Sequence, residues 1–382
     1  MDFRPDDEQR ALVDAARTFV TRELEPLFAP YSPDEPYPKE VMLEAFSRMQ
    51  PFGYLGGTIP EELGGLGMSL TTYGMLLEAL PHPIFISTFI TGTVSGNIAR
   101  ASGPVREKYL PDLLTGRRIG AAAITEPNVG SYPAAAETTA VQDGDSWIIN
   151  GTKMFISNGA IADVVTVTAS LDRSLGAKGL ATFIVDKDES PFEARYIPTI
   201  GERNDFLGEL TFRDCRIPLD NLIVPEGNAY AATLKGFQTA RGYVALTAVH
   251  VAQLAIDAAV QYAKDRPQFG KPIASFQMIQ DMLAEMQTEC DAARLLAYRA
   301  LDATDRGERV PHWASMAKWY ATEMAVRVTG KAVQIHGAYG LTEEFPVSRY
   351  YRDARMLTIP DGTTQIQKLI IGREMTGIDA IR

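Results

Sequence analysis

Cysteine is nearly absent: Cys215 and Cys290 are the two in 382 residues, and without CxxC spacing they make neither a disulfide framework nor a thiolate metal site. Cys215 falls in a strand-like stretch and Cys290 in a helical one, where each reads as a small core residue. Histidine is sparse too. His82, His250, His312 and His336 show no HxH or HxxxH arrangement and no carboxylate neighbours at ligand spacing, so no metal is expected. Cations are outnumbered, with 37 Lys and Arg against 48 Asp and Glu for a net charge of −11. Binding a nucleic acid requires clustered Lys and Arg that release counterions, and here they are scattered, so no nucleic acid partner is expected. No uninterrupted apolar run reaches the roughly 18 residues of a membrane span. The opening MDFRPDDEQR is acidic and lacks the basic region and apolar run of a secretory leader. The expectation is a soluble cytoplasmic protein with no membrane partner. Missing as well are GxSxG, GxxxxGK[ST] and a strand-ending GxGxxG, which removes the commonest hydrolase, nucleotidase and nicotinamide readings.

What is present is a large apolar fraction, 46%, enough for two or three cores in a chain of this length. Leu12, Ala16, Phe19 and Val20 recur at helical spacing after Asp6 and Asp7, which suit a helix N-terminus. Met42, Phe46 and Met49 repeat the spacing, the loop PEELGGLGM interrupts it, and an apolar stretch resumes through Leu76 to Leu80. Residues 1–118 therefore read as an α-helical domain. Residues 119–226 carry short β-branched and aromatic runs between turn residues, as in VVTVTAS, ATFIVD and GELTF, and read as a β domain. Within it Asn150-Gly151, between WII and TKMFIS, predicts a two-residue hairpin turn, because such turns need positive φ at both central positions. Residues 227–382 return to long Ala, Leu, Met and Val-rich segments and predict four or five helices of bundle type. The fold class is α+β, in the order helices, sheet, helices.

Between the first two regions lies AAITEPNVGSYPAA, whose Thr125, Ser131 and amides around Gly130 could cradle a polar ring edge or a phosphate, or form a plain surface loop. This loop resembles the TEPxAGSD signature of acyl-CoA dehydrogenases, and the resemblance continues in order along the chain. PEELGGLGM is similar to the family's PEExGGxG, NGTKMFISNG to its NGxKxWITNG hairpin and RPQFGKPIASFQ to RxxFGxPxxxxQ. VQIHGAYGLTEEFPVSRYYRDAR is similar to QxxGGxGxxxEYPVxRxxRDxR, and IPDGTTQIQKLIIGRE to YEGTxxIQxxxIxRE.

The resemblance implies an N-terminal α-helical domain, a central β-barrel and a C-terminal four-helix bundle, with FAD as cofactor between barrel and bundle. It implies that Ile124, Thr125, Gly130, Ser131, Phe155 and Ser157 surround the flavin ring, Phe155 standing where Trp is common. Arg266, Phe269, Gln277, Gln334 and Gly337 match positions that hold the pyrophosphate and adenosine end, partly across a subunit boundary in family homotetramers. Thr363 and Gln365 match further cofactor contacts. Ser131, Phe237, Arg241 and Gly362 match positions that line the substrate. The implied substrate is an acyl-CoA or an acyl group on a carrier protein, and the implied electron acceptor is an electron-transfer flavoprotein.

The family base is usually the Glu of YEGT. Here the segment is Pro360-Asp361-Gly362-Thr363, which keeps a carboxylate, shortens its reach by one methylene and replaces Tyr by Pro. Asp361 is the candidate base, because the first bundle helix, where some relatives carry a Glu base, reads FQTARGYV. An alternative is that Asp361 only caps the last helix. A shorter base needs the reacting carbon closer or a differently shaped acyl group, which points to a branched or cyclic substrate. Two further departures are Tyr132 for the signature's Asp and Ala338 for a second Gly. Desaturation of an acyl thioester is the leading expectation. The same residues would suit an enoyl thioester reductase, a flavin oxidase of a non-thioester carbon acid, or a flavin-holding scaffold.

Overall fold

The computed structural model describes residues 5–101 and 103–380; the first four residues of the acidic opening lie outside them. The chain divides into two compact units, Met1–Thr199 with Arg203–Gly236, and Ile200–Glu202 with Phe237–Arg382.

The first unit opens with helices α1 (Asp7–Phe19), α2 (Glu25–Phe28), α3 (Lys39–Met49), α4 (Leu70–Leu77), α5 (Phe85–Ala99) and α6 (Gly103–Leu114). Asp6 starts α1 through a capping box: its carboxylate accepts from Gln9 N at 2.8 Å while its own N–H donates to the Gln9 side chain at 3.0 Å. Eight strands follow: β1 (Gly120–Ala123), β2 (Thr139–Asp143), β3 (Ser146–Ile156), β4 (Val164–Ser170), β5 (Leu180–Asp186), β6 (Glu193–Tyr196), β7 (Gly208–Pro218) and β8 (Leu222–Val224). They form one mixed sheet in the order β6-β7-β3-β2-β4-β5-β8, with β1 added parallel to β4. β4 is buried along its whole length. Val165 and Val167 pack with Ile149, Phe183 and Phe212 inside the sheet, while Val164 joins Val94, Ile98 and Tyr109 of the helices. A strand covered on both faces is a continuous apolar run, which is why VVTVTAS does not alternate.

The hairpin expected at Asn150-Gly151 is not there. β3 runs straight through both residues, and the turn to β2 lies at Gly144 and Asp145, next to the Asp143–Ser146 pair. Asn150 and Gly151 instead make an irregularity in the β3–β7 ladder. The Asn150 amide donates to the Asp214 carboxylate at 3.1 Å and its carbonyl accepts from Asp214 N at 2.7 Å. Gly151 is required by proximity, since a Cβ there would sit 2.5–2.8 Å from Thr138. The turn signal was genuine glycine chemistry put to a different use.

The second unit contains α7 (Ala229–Asp265) from Phe237 onward, α8 (Gln277–Asp305), α9 (Pro311–His336), α10 (Val347–Met356) and α11 (Thr364–Thr376). α9 is central and packs on α8, α10 and α11. Its buried Ala314, Ala317, Ala321, Ala325 and Ala332 let those helices approach closely. α7 is long and apolar enough to cross a membrane by length and composition, yet 67% of its most apolar window is buried within the protein, as in a core helix. The strap Ile200–Glu202 lies on α10, where Glu202 N donates to the Asp353 carboxylate at 2.7 Å.

Candidate functional site

In the first unit the TEP loop is fastened to β3 from below. Met154 N donates to Thr125 O at 2.9 Å. Lys153 Nζ donates to Ile124 O at 2.9 Å and to Glu126 Oε1 at 2.8 Å, with both side chains shut off from solvent. Glu126 also accepts from the N–H groups of Glu137, at 2.5 Å, and Thr138, at 2.9 Å. Burial pushes the Glu126 carboxyl upward, but Lys153 and these donors outweigh it and hold the carboxyl below its ordinary range. Burial pulls the Lys153 ammonium down against the attraction of Glu126. The sequence reading missed both residues as site builders.

The bond from Met154 N to Thr125 O sets the start of the TEP loop beside the end of β3, which carries Phe155 and is followed directly by Ser157. Phe155 adopts φ +60° at the second irregularity of β3 and leaves 52% of its surface exposed. Left-handed backbone at a bulky residue costs about 1–2 kcal/mol, so tertiary contacts fix it there. Gly130 and Ser131 are exposed, and a Cβ built on Gly130 would meet nothing within 4 Å. Ser157 Oγ donates to the Asp205 carboxylate at 2.9 Å. Beside it, the buried Asn158 amide donates to Ser87 O, Thr91 Oγ1 and Gly120 O at 2.9–3.1 Å and locks the end of β3. An exposed aromatic ring, hydroxyl residues and open room over a glycine are each groups that suit a flat ring with a heteroatom edge.

In the second unit Asp361 lies at φ +53° and Gly362 at φ +94°. Two consecutive carbonyls are held by four hydrogen bonds. Arg241 Nε donates to Asp361 O at 3.2 Å, and Lys318 Nζ to Gly362 O at 3.0 Å. Gln367 donates to both, at 2.9 and 2.8 Å. The helix-capping alternative for Asp361 falls to another residue: α11 is capped by Thr363, whose hydroxyl accepts from Ile366 N at 3.4 Å. Burial pushes the Asp361 carboxyl above its ordinary range, with Arg241 and then Lys318 opposing. Arg241 is buried, which lowers its basicity against the pull of Asp361, and its guanidinium lies 5.8 Å from the Phe237 ring centroid.

Of the nucleotide-end candidates, Arg266 is joined to the loop that carries Gly337. The Arg266 guanidinium lies 5.5 Å over the Tyr339 ring, which joins RPQFG to the HGAYG loop. Tyr262 stacks on His336 at 4.3 Å, and Phe269, at φ +52°, is 93% exposed. Gln277, Gln334, Gly337 and Gln365 are exposed. Arg241 lies within α7 and Arg266 directly follows its last residue, 25 positions on and about 37 Å of helical rise away. The structure thus assembles the Asp361 group and the Arg266 group as two distinct places.

Residues 6–117, 121–215 and 228–376 match, in that order, the N-terminal, middle and C-terminal domains of acyl-CoA dehydrogenases. The chain is similar to the 3-(aryl)acrylate reductase of Clostridium sporogenes, 35% identical over 381 residues, covering 96% of this chain and 98% of that one. It is similar to the cyclohex-1-ene-1-carbonyl-CoA dehydrogenase of Syntrophus aciditrophicus, 36% identical over 379 residues, covering 97% and 90%. A solved glutaryl-CoA dehydrogenase of Mycobacterium smegmatis, in complex with FADH2, superposes with a TM-score of 0.89 at 28% identity, covering 99% and 97%.

Proposed function

Because the chain belongs to the acyl-CoA dehydrogenase family of FAD-dependent oxidoreductases, we propose that it desaturates a branched or cyclic acyl thioester between its α and β carbons, with Asp361 as the base. The observation that carries this reading is the clamp on residues 361 and 362, which sets a carboxylate on a backbone that asparagine, aspartate and glycine tolerate and other residues resist.

Thr125, Ser131 and Phe155 would hold the ring of FAD, and Arg266 with Gln334 and Gly337 its phosphate end. When bound, FAD supplies the acceptor for the hydride that leaves the β carbon. The Asp361 carboxylate takes the α proton, which leaves Asp361 as the acid and the α,β carbons joined by a double bond. Burial raises the basicity of that carboxylate, which suits it to a carbon acid. Arg241 and Phe237 line the thioester arm and exclude water from it. The short side chain of Asp361 and the dehydrogenase of a cyclic acyl-CoA among the relatives support the branched or cyclic substrate.

A homotetramer with an electron-transfer flavoprotein as acceptor belongs to the same proposal. Arg266, just past α7 and about 37 Å of helical rise from Arg241, would serve the cofactor of a neighbouring copy, and that separation supports the reading. Reduction of an enoyl thioester would use the same residues, and a relative at 35% identity is named a reductase.

The test is an anaerobic absorbance titration of the yellow protein with straight, branched and cyclic acyl-CoAs, wild type beside Asp361→Asn. Bleaching of the wild type by one acyl class and not of the variant is the expected result. Bleaching of both removes Asp361 as base. Reoxidation of dithionite-reduced protein by an enoyl-CoA, without bleaching by any acyl-CoA, assigns the reductive direction.

A further inference from the structure

Lys318 lies in the middle of α9 with no exposed surface, among alanines that pack helix against helix. A buried ammonium costs several kcal/mol after relaxation, far more than one hydrogen bond to a carbonyl returns. Its placement is informative. Three donors from three helices meet on the carbonyls of residues 361 and 362: Arg241 from α7, Lys318 from α9 and Gln367 from α11. Gln367 already bonds both carbonyls, so geometry alone does not call for a third helix to supply a charge. Arg241 also stands 5.8 Å from the Phe237 ring centroid, where the proposed thioester arm would run. Lys318 has none that the reaction uses.

We propose that Lys318 is a positioning residue: its ammonium ties Gly362 in place and supplies the positive charge that keeps the neighbouring Asp361 carboxylate ionised in a buried site. This rests on the reading of Asp361 as base. The charged groups acting on Lys318 are Asp361 from the loop, Arg241 from α7 and Glu323 from α9 itself, the last accepting from Thr364 Oγ1 at 2.6 Å. Burial pushes the Lys318 ammonium down to about 8, with Asp361 and Glu323 resisting and Arg241 assisting. It is therefore mostly cationic at neutral pH and loses its charge as pH rises through about 8. Without it, Arg241 alone opposes the effect of burial on Asp361.

The experiment is the pH profile of kcat/KM for wild type, Lys318→Gln, Lys318→Met and Gln367→Leu, each carrying wild-type flavin per protomer by absorbance. Both Lys318 variants are expected to move the acidic limb upward by about half a pH unit or more, with kcat falling about tenfold and KM changing less. Gln367→Leu removes two neutral donors and no charge, so its kcat falls while the limb stays. An unmoved limb in both Lys318 variants, or an equal move in Gln367→Leu, overturns the proposal. Asp361→Asn separates the two levels: wild-type turnover in that variant defeats the base assignment itself, whereas an inactive Asp361→Asn with an unmoved limb in the Lys318 variants defeats the role of Lys318 alone.

Discussion

The Lys153 ammonium bonds the Glu126 carboxylate at 2.8 Å where solvent reaches neither side chain. That pair ties the TEP loop, which carries Glu126, to β3, which carries Lys153 two residues before Phe155. A buried pair adds little net stability over a well-packed apolar pair, but each partner depends on the other.

Lys153→Met should therefore lower stability by about 3–5 kcal/mol, since it leaves a buried carboxylate without its counter-charge. Adding Glu126→Gln to it should restore part of the loss in chemical denaturation, because the amide needs no counter-charge. Flavin content should fall in the single variant more than in the double. A single variant as stable as wild type would mean that the pair is not a buried contact.

Two glycines separate structural from cofactor-related demands. Gly151→Ala pushes a methyl into Thr138 and should cost about 1–3 kcal/mol by overpacking. Gly130→Ala meets no protein atom and should leave the apoprotein midpoint within about 0.5 kcal/mol of wild type. Under the proposed cofactor placement its flavin retention on dilution should nonetheless drop about tenfold. Unchanged retention in Gly130→Ala would remove that glycine from the cofactor surface.

Asp361→Asn should lose between about a hundredfold and ten-thousandfold in turnover, the usual contribution of a positioned acid or base, while keeping its flavin spectrum. In the wild type the base must be ionised, so kcat/KM falls as pH drops through its folded value. Burial sets that value above the ordinary aspartate range, and the acidic limb should lie there. A limb within the ordinary range would mean that the carboxylate is solvated.

The order helices, sheet, helices was legible from local patterns of apolar spacing and turn residues, and the candidate residues were named from motifs that are each contiguous in the chain: the TEP loop, the NGTK segment and the PDGT turn. Glu126 and Lys153 were invisible as a pair because 27 residues separate them and no local pattern marks which charges go inward. Lys318 sits in WASMAKWYA, where a lone Lys among apolar residues reads as a solvated position, and burial is a property of the packed helices. Asn150-Gly151 misled for a related reason. Glycine relieves a turn and a close approach equally well, and Thr138, which decides between them, lies on another strand. Asp361 reads as a plausible cap in sequence, yet it adopts φ +53° and the cap is Thr363, two residues on.

Glu202 provides a test of the strap on α10. Its carboxyl is buried and pushed up to about 8, with Arg349 opposing, against about 4.5 for the unfolded chain. Between those values the folded protein holds a proton that the unfolded chain has released. By linkage stability then declines as pH rises across the window, by at most about 1.4 kcal/mol per pH unit. The contribution is fully present below the unfolded value and lost as pH passes the folded one. Glu202→Gln keeps the shape without the titration, so the two proteins should differ little near pH 4.5, and the variant should be the more stable by pH 8 in urea denaturation. A stability difference that does not change with pH would mean that Glu202 is ionised in the folded protein throughout, with Arg349 outweighing the effect of burial.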